Sequence, residues 1–166
     1  MSKKMTALLI ATSLMAVAGC AKKEKPQDLP PPPVGAQGPT APTGPAAGSQ
    51  ADFVASVSAD RIFFDTDKYD VDAEDQAVLA SQAAWLKRYP AVRVTIEGHA
   101  DERGTRDYNI ALGARRANAA KNALAALGID AGRISTVSYG KERPEALGST
   151  EADWARNRRA VTVTVQ

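Results

Sequence analysis

The chain has a single cysteine, Cys20, and a single histidine, His99, among its 166 residues. A lone thiol cannot close an internal disulfide, so the fold is not a stapled scaffold. With no second thiol or imidazole there is no ligand set for a zinc centre. Three Phe and two Trp are too few to build base-stacking platforms, and a net charge of +2 leaves no broad footprint for nucleic acid. No Gly-x-Ser-x-Gly nucleophile elbow occurs, so a hydrolase built on His99 and Asp101 lacks its nucleophile. The apolar run Met5–Ala18 has 14 residues. A membrane-spanning helix needs ~20.

What that short run does resemble is the core of an export signal. Lys3 and Lys4 precede it, and it ends in Val17-Ala18-Gly19-Cys20, which looks like a bacterial lipobox. Small residues suit a signal peptidase, and the thiol of Cys20 is the one side chain there able to take a thioether-linked lipid. Residues 1–19 are therefore expected to be a lipoprotein signal peptide. Lipidation at Cys20, with two or more acyl chains at roughly 0.8 kcal/mol per buried methylene, would give a stable anchor. Ala21 follows the cysteine, where an Asp would be the enteric retention signal. By that resemblance the lipoprotein is expected in the outer membrane.

Residues 20–50 are read as a tether. Eight of the ten prolines fall between Ala21 and Gln50, including Pro30–Pro33, with only Leu29 and Val34 as large aliphatics. Such a stretch buries too little apolar surface to offset its ordering entropy. From about Ala51 the composition changes, and residues 51–166 carry 16 basic and 17 acidic side chains. That length suffices for one core.

Within this domain the β-forming run near Ala59–Phe64 predicts a strand. Asp72, with Glu74 and Asp75 in the first turn, predicts a helix to about Tyr89, ended by Pro90. Val92, Val94 and Ile96 alternate with polar residues, as in a half-buried strand. A second helix is expected over about Arg106–Leu127, stopped by Gly128. A strand near Ile134–Tyr139, a short helix near Thr150–Asn157 and a strict period-two strand at Val161–Val165 complete the pattern. The order β-α-β-α-β-α-β predicts an α/β (α+β) two-layer sandwich, its sheet covered on one face by helices.

The most informative stretch is Gly98-His99-Ala100-Asp101-Glu102-Arg103-Gly104-Thr105, which runs from a strand end through a loop onto a helix. Asn109, Leu112 and Arg116 share one face of that helix. Arg116 lies about 10 Å along the axis from Asn109, but helical side chains lean toward the N-terminus, so its guanidinium can reach back to the loop. Asp101 and Arg116 facing one pocket would suit a zwitterionic amino-acid group, carboxylate to ammonium and guanidinium to carboxylate. The same two residues could instead form a structural ion pair. Asp65-Thr66-Asp67-Lys68-Tyr69-Asp70 starts like a calcium loop, but Gln76 stands where Glu should close it, so a solvated turn is expected. His99 is expected to be a structural histidine hydrogen-bonded to its loop.

These motifs, with Phe63-Phe64-Asp65-Thr66, Tyr108 to Ala117, Val137 to Glu142 and Asn157-Arg158-Arg159-Ala160-Val161, resemble the OmpA-like peptidoglycan-binding domain over about residues 58–166. The resemblance implies a mixed sheet, no enzymatic activity, no cofactor, and recognition of the meso-diaminopimelate of the peptidoglycan stem peptide. It places Asp101 and Arg116 as the clamp, with Asn109, Leu112 and the Phe64-Asp65-Thr66 turn lining the pocket and Arg158 nearby. Gly113 stands where many such domains have Ser, a departure expected to cost a helix-surface hydrogen bond. A lipobox and tether joined to this domain resemble the lipoproteins of the Tol system, which implies TolB and other Tol components as partners and a role in envelope integrity and cell division. The alternatives are a generic wall-binding lipoprotein outside that system and a cell-wall hydrolase.

Overall fold

Four short polar side chains set where the helices begin. Ser49, Asp72, Thr105 and Thr150 each accept a hydrogen bond from the backbone N–H three residues on, the usual satisfaction of a helix's unpaired donors. At Thr150 the bond is reciprocated by Asp153, which completes a capping box. The computed structural model describes residues 44–165. The signal, the lipobox with Cys20 and most of the proline-rich stretch lie outside the described residues.

The elements are α1 (Gln50–Ser56), β1 (Arg61–Phe63), α2 (Ala73–Arg88), β2 (Arg93–His99), α3 (Arg106–Ala126), β3 (Ile134–Gly140), α4 (Glu151–Asn157) and β4 (Arg159–Val165), with a 3-10 turn at Ala131–Arg133. The sheet order is β1-β4-β2-β3. β2 and β3 are parallel, whereas β4 is antiparallel to both of its neighbours, so the sheet is mixed. The strictly alternating strand β4 thus occupies an interior position.

Val94 and Ile96 of β2 and Ala160 and Thr162 of β4 bury toward the helical layer, while Arg93, Thr95 and Glu97 remain partly accessible. α3 lies across β2, β3 and β4, presenting Ala117, Ala120 and Leu124, and α2 packs beside it near β1. Small residues let α3 approach closely. A Cβ on Gly98 would stand 1.9 Å from the carbonyl oxygen of Gly113, a distance no side chain can occupy. Gly113 is itself buried, with Ser138 Oγ 2.4 Å from where its Cβ would be, so the position faces β2 and β3 and is not on the helix surface. A Ser there would meet the sheet, which corrects the expectation of a surface hydrogen bond.

Two further differences from the sequence expectation are local. α1 had no expected counterpart. Its Phe53 is fully buried edge-on to Trp85, ring centroids 5.0 Å apart, and Asp52 accepts from Trp85 Nε1 at 3.2 Å. β1 is shorter than Ala59–Phe64, and at its leading end the Ala59 carbonyl is taken by Gln82 Nε2 at 2.9 Å. At the open edge of β1, the Asp75 carboxylate accepts the Phe63 N–H at 3.2 Å. Burial holds the Asp75 pKa up at about 6.

Asn157 closes the other end of the fold. It is 2% exposed, and its side-chain oxygen accepts from Glu145 N and Ala146 N while its nitrogen donates to the Ala146 carbonyl. This pins the β3–α4 loop beside the end of β2.

Candidate functional site

The loop after β2 is held from three sides. Ala100 N donates to the Gly140 carbonyl at 2.8 Å, Asn109 Nδ2 to the Arg103 carbonyl at 2.7 Å, and Lys141 Nζ to the Glu102 and Gly104 carbonyls. Gly104 has φ +83°, a left-handed turn that lets the chain reverse into the Thr105 cap. Asn109, buried at the start of α3, is thereby a loop support, and Leu112 beside it supplies an apolar wall.

Arg116 is completely buried. Its Nε donates to the Lys68 carbonyl (2.8 Å), Nη1 to the His99 carbonyl (2.9 Å) and Nη2 to the Asp65 carbonyl (3.0 Å). The Phe64 ring lies beneath it, 5.2 Å from the guanidinium carbon. Burial, then the neighbouring Arg158 charge, lower its pKa to about 10, so it stays cationic at neutral pH. A guanidinium carries five N–H donors. Three carbonyls use three of them and leave one on each Nη for a partner.

Asp101 is 7% exposed and does not pair with Arg116. Its Oδ1 accepts from the backbone N and the Nε of Arg103, both at 3.1 Å, and its Oδ2 accepts from Arg103 Nη2 at 2.7 Å. Burial pushes the Asp101 pKa up, but the hydrogen bonds and charge of Arg103, helped by Arg158, outweigh it, and the net shift is downward. Asp101 is a carboxylate at any physiological pH.

These groups meet in a cleft of about 290 Å³ lined by Thr66, Asp67, Asp101, Arg103, Gly104, Tyr108, Asn109, Leu112 and Arg116. That volume is at the lower end of small-ligand pockets and fits one amino-acid-sized group. The Phe64-Asp65-Thr66 turn divides its contributions. Thr66 lines the cleft, Phe64 lies under Arg116, and the Asp65 side chain points outward to Lys68 at 3.0 Å, leaving only its carbonyl to the site. Arg158 does not line the cleft. It stands behind Asp101, with Nε on the Phe64 carbonyl (2.9 Å), Nη2 on Glu151 (2.9 Å) and Nη1 3.6 Å from Asp101 Oδ2.

Arg103, Asp67, Gly104 and Tyr108 also line the cleft, a role the sequence reading did not assign to them. Asp67 adopts φ +57°, a strained left-handed conformation for a non-glycine, and accepts from the Tyr108 hydroxyl at 3.0 Å. Its carboxylate gives the cleft a second acid.

The His99 carbonyl serves the site, whereas its ring does not. The ring packs near Tyr139, with centroids 5.6 Å apart, and neither ring nitrogen has a hydrogen-bond partner among the described residues. This corrects the expected bond to its loop. Burial and the nearby Arg159 charge lower its pKa to about 4, so the imidazole is neutral and outside the cleft. Among the described residues no group of three His, Cys, Asp or Glu side chains is placed to hold a metal ion.

The scaffold is shared with known proteins. Residues 63–158 match the OmpA family. The peptidoglycan-associated lipoprotein of Agrobacterium fabrum is 50% identical over 158 residues, covering 95% of this chain and 86% of that protein. Its counterpart in Rhizobium meliloti is 52% identical over 150 residues, covering 90% and 81%. The crystal structure of the peptidoglycan-associated lipoprotein from Burkholderia pseudomallei superposes with a TM-score of 0.63 at 44% identity, covering 68% of this chain and 93% of that one. The C-terminal domain of Helicobacter pylori MotB, 19% identical with a TM-score of 0.61, shares the fold. A sheet ordered β1-β4-β2-β3, the Gly98–Thr105 loop and relatives this similar over most of their length lead to one conclusion: the chain belongs to the OmpA family, among the peptidoglycan-associated lipoproteins.

Proposed function

We propose that the cleft binds the diaminopimelate of the peptidoglycan stem peptide without making or breaking a bond, and so fastens a lipid-anchored protein to the cell wall. The observation that carries this reading is Arg116, a buried guanidinium immobilised on three backbone carbonyls with two donors left over, in one cleft with Asp101. The far end of a diaminopimelate side chain bears a carboxylate and an ammonium on one carbon. Arg116 would take the carboxylate and Asp101 the ammonium. A guanidinium already fixed loses little conformational freedom when the ligand arrives.

The rest follows the organisation expected from the sequence. Residues 1–19 direct export, Cys20 carries lipid in the outer membrane, residues 20–50 span toward the wall, and residues 51–166 grip it in the periplasm. The names of the relatives support the wall-binding and lipoprotein parts. Work with TolB and the Tol system in envelope integrity and cell division completes the proposal.

The test is co-sedimentation of the full chain, solubilised in detergent, with isolated peptidoglycan sacculi. Wild type sediments with them, and Asp101→Ala, folded by circular dichroism, loses most of that binding. Undiminished binding by the variant would remove Asp101 from the site, and release of soluble muropeptides would replace recognition with hydrolysis. Fractionation of cells bearing Cys20→Ala together with Asp101→Ala tests the anchor, since the doubly altered protein should leave the outer-membrane fraction.

A further inference from the structure

Three guanidinium groups surround Asp101, and they differ in how firmly they are held. Arg116 is fixed on three carbonyls, and Arg158 is 7% exposed in its side chain and bonded to Phe64 and Glu151. The Arg103 side chain is 38% exposed. Its polar contacts are Asp101 and, at 3.3 Å, Thr66 Oγ1, with Glu151 3.9 Å away. Its guanidinium carbon also lies 4.2 Å over the Trp154 ring. The carboxylate that a ligand ammonium would seek therefore already holds a cation of its own chain. Two donors fill Oδ1, and the shortest contact fills the better part of Oδ2.

We propose that Arg103 is a resident competitor for Asp101. Its side chain stands in the ammonium's place and yields to the ligand, sliding along the Trp154 ring. The geometry separates what must stay from what must go. The Arg103 backbone N–H remains on Oδ1 and keeps the carboxylate aimed, while Nε and Nη2 give up their bonds to the incoming ammonium. The indole face offers the displaced guanidinium a surface it already touches, so it need not go unpaired into water.

Competition of this kind sets specificity. A ligand without a cation would leave the Arg103–Asp101 pair closed and could use only the free donors of Arg116. A simple amine would regain that pair but leave the free donors of Arg116 unused. Only a group that presents ammonium and carboxylate together recovers both, so the competitor screens for the zwitterion. This inference rests on the reading of the cleft given above.

The test is titration of the full chain in detergent with a soluble tripeptide ending in meso-diaminopimelate, for wild type, Arg103→Ala, Arg103→Gln and Asp101→Ala. The substituted side chain is half-exposed, and the backbone bonds at position 103 do not depend on it, so both Arg103 variants should melt close to wild type. They are expected to bind roughly two- to tenfold tighter than wild type, as when a half-exposed ion pair stops competing. In the wild type the titration should also shift tryptophan emission. Trp154→Phe should abolish that shift, because Trp85 is buried in the core. Unchanged or weaker binding by Arg103→Ala, or binding by wild type with silent Trp154, overturns the competitor. If wild type binds and Asp101→Ala does not while the Arg103 variants are no tighter, only the competitor falls. If neither wild type nor Arg103→Ala binds, both readings fall, and binding by the variant alone is the competitor at its extreme.

Discussion

Asp101 and Arg116 line one cleft without pairing with each other: the carboxylate is held by Arg103 and the guanidinium by the carbonyls of Asp65, Lys68 and His99. Each charge is thus positioned by groups other than its opposite number. Two side chains that neutralised one another would have nothing left for a ligand, whereas these two keep their separation and their sign.

Arg116 consequently has a structural duty besides its proposed ligand. Arg116→Lys retains the charge but cannot span three carbonyls, so it should lose about 2–4 kcal/mol of stability through buried acceptors left unmet. Urea denaturation measures this. A variant as stable as wild type would mean that water serves those carbonyls equally well.

Asp75 and His99 should shape stability with opposite signs in one pH range. The folded pKa of Asp75 is raised to about 6 from 3.8, so this group's contribution falls as pH rises from 4 to 6. The folded pKa of His99 is lowered to about 4 from 6.5, so its contribution is lost as pH falls through the same range. Between pH 4 and 6 folding removes a proton from the histidine and adds one to the aspartate, and the two slopes cancel. Asp75→Asn should expose a stability that rises with pH across this range, and His99→Phe one that falls. Each slope should amount to on the order of 1 kcal/mol once solvent screening is discounted. Thermal melts at pH 4.5, 5.5 and 6.5 test it, and parallel profiles for all three proteins would defeat it.

Gly98→Ala should cost about 3 kcal/mol or more, because the new methyl would overlap the Gly113 carbonyl and force α3 off the sheet. The readout is the denaturation midpoint. Since α3 carries Arg116, binding to sacculi should fall with it.

Asn157→Leu should destabilise by about 2–3 kcal/mol, leaving Glu145 N, Ala146 N and the Ala146 carbonyl unpaired. Hydrogen exchange should report the loss first in the backbone amides of residues 145 and 146.

How much of this was legible depended on how local each signal is. The alternation of β2 and β4, the cap Asp72 and the stop at Gly128 are written in neighbouring residues, and the elements they imply are present. α1 was not legible because seven residues with one buried side chain, Phe53, form a helix only by docking on Trp85, 32 positions away in the chain. In the site, the helix face of Asn109, Leu112 and Arg116 was readable from spacing. The outward turn of the Asp65 side chain and the hold of Arg103 on Asp101 were not. Both are settled by which of several charged neighbours is nearest in space, and periodicity is silent on that.

The interior position of β4 has a consequence for how the chain reaches its place of work. Among the described residues β1 pairs only with β4, nearly a hundred residues later, and β4 separates β1 from β2. Until that segment arrives the sheet lacks an inner strand, and β1 lacks its partner among the described strands. Such long-range closure makes folding slow and late. A chain threaded outward from its N-terminus would therefore remain pliable during passage, and would acquire its grip only once the last strand had been delivered.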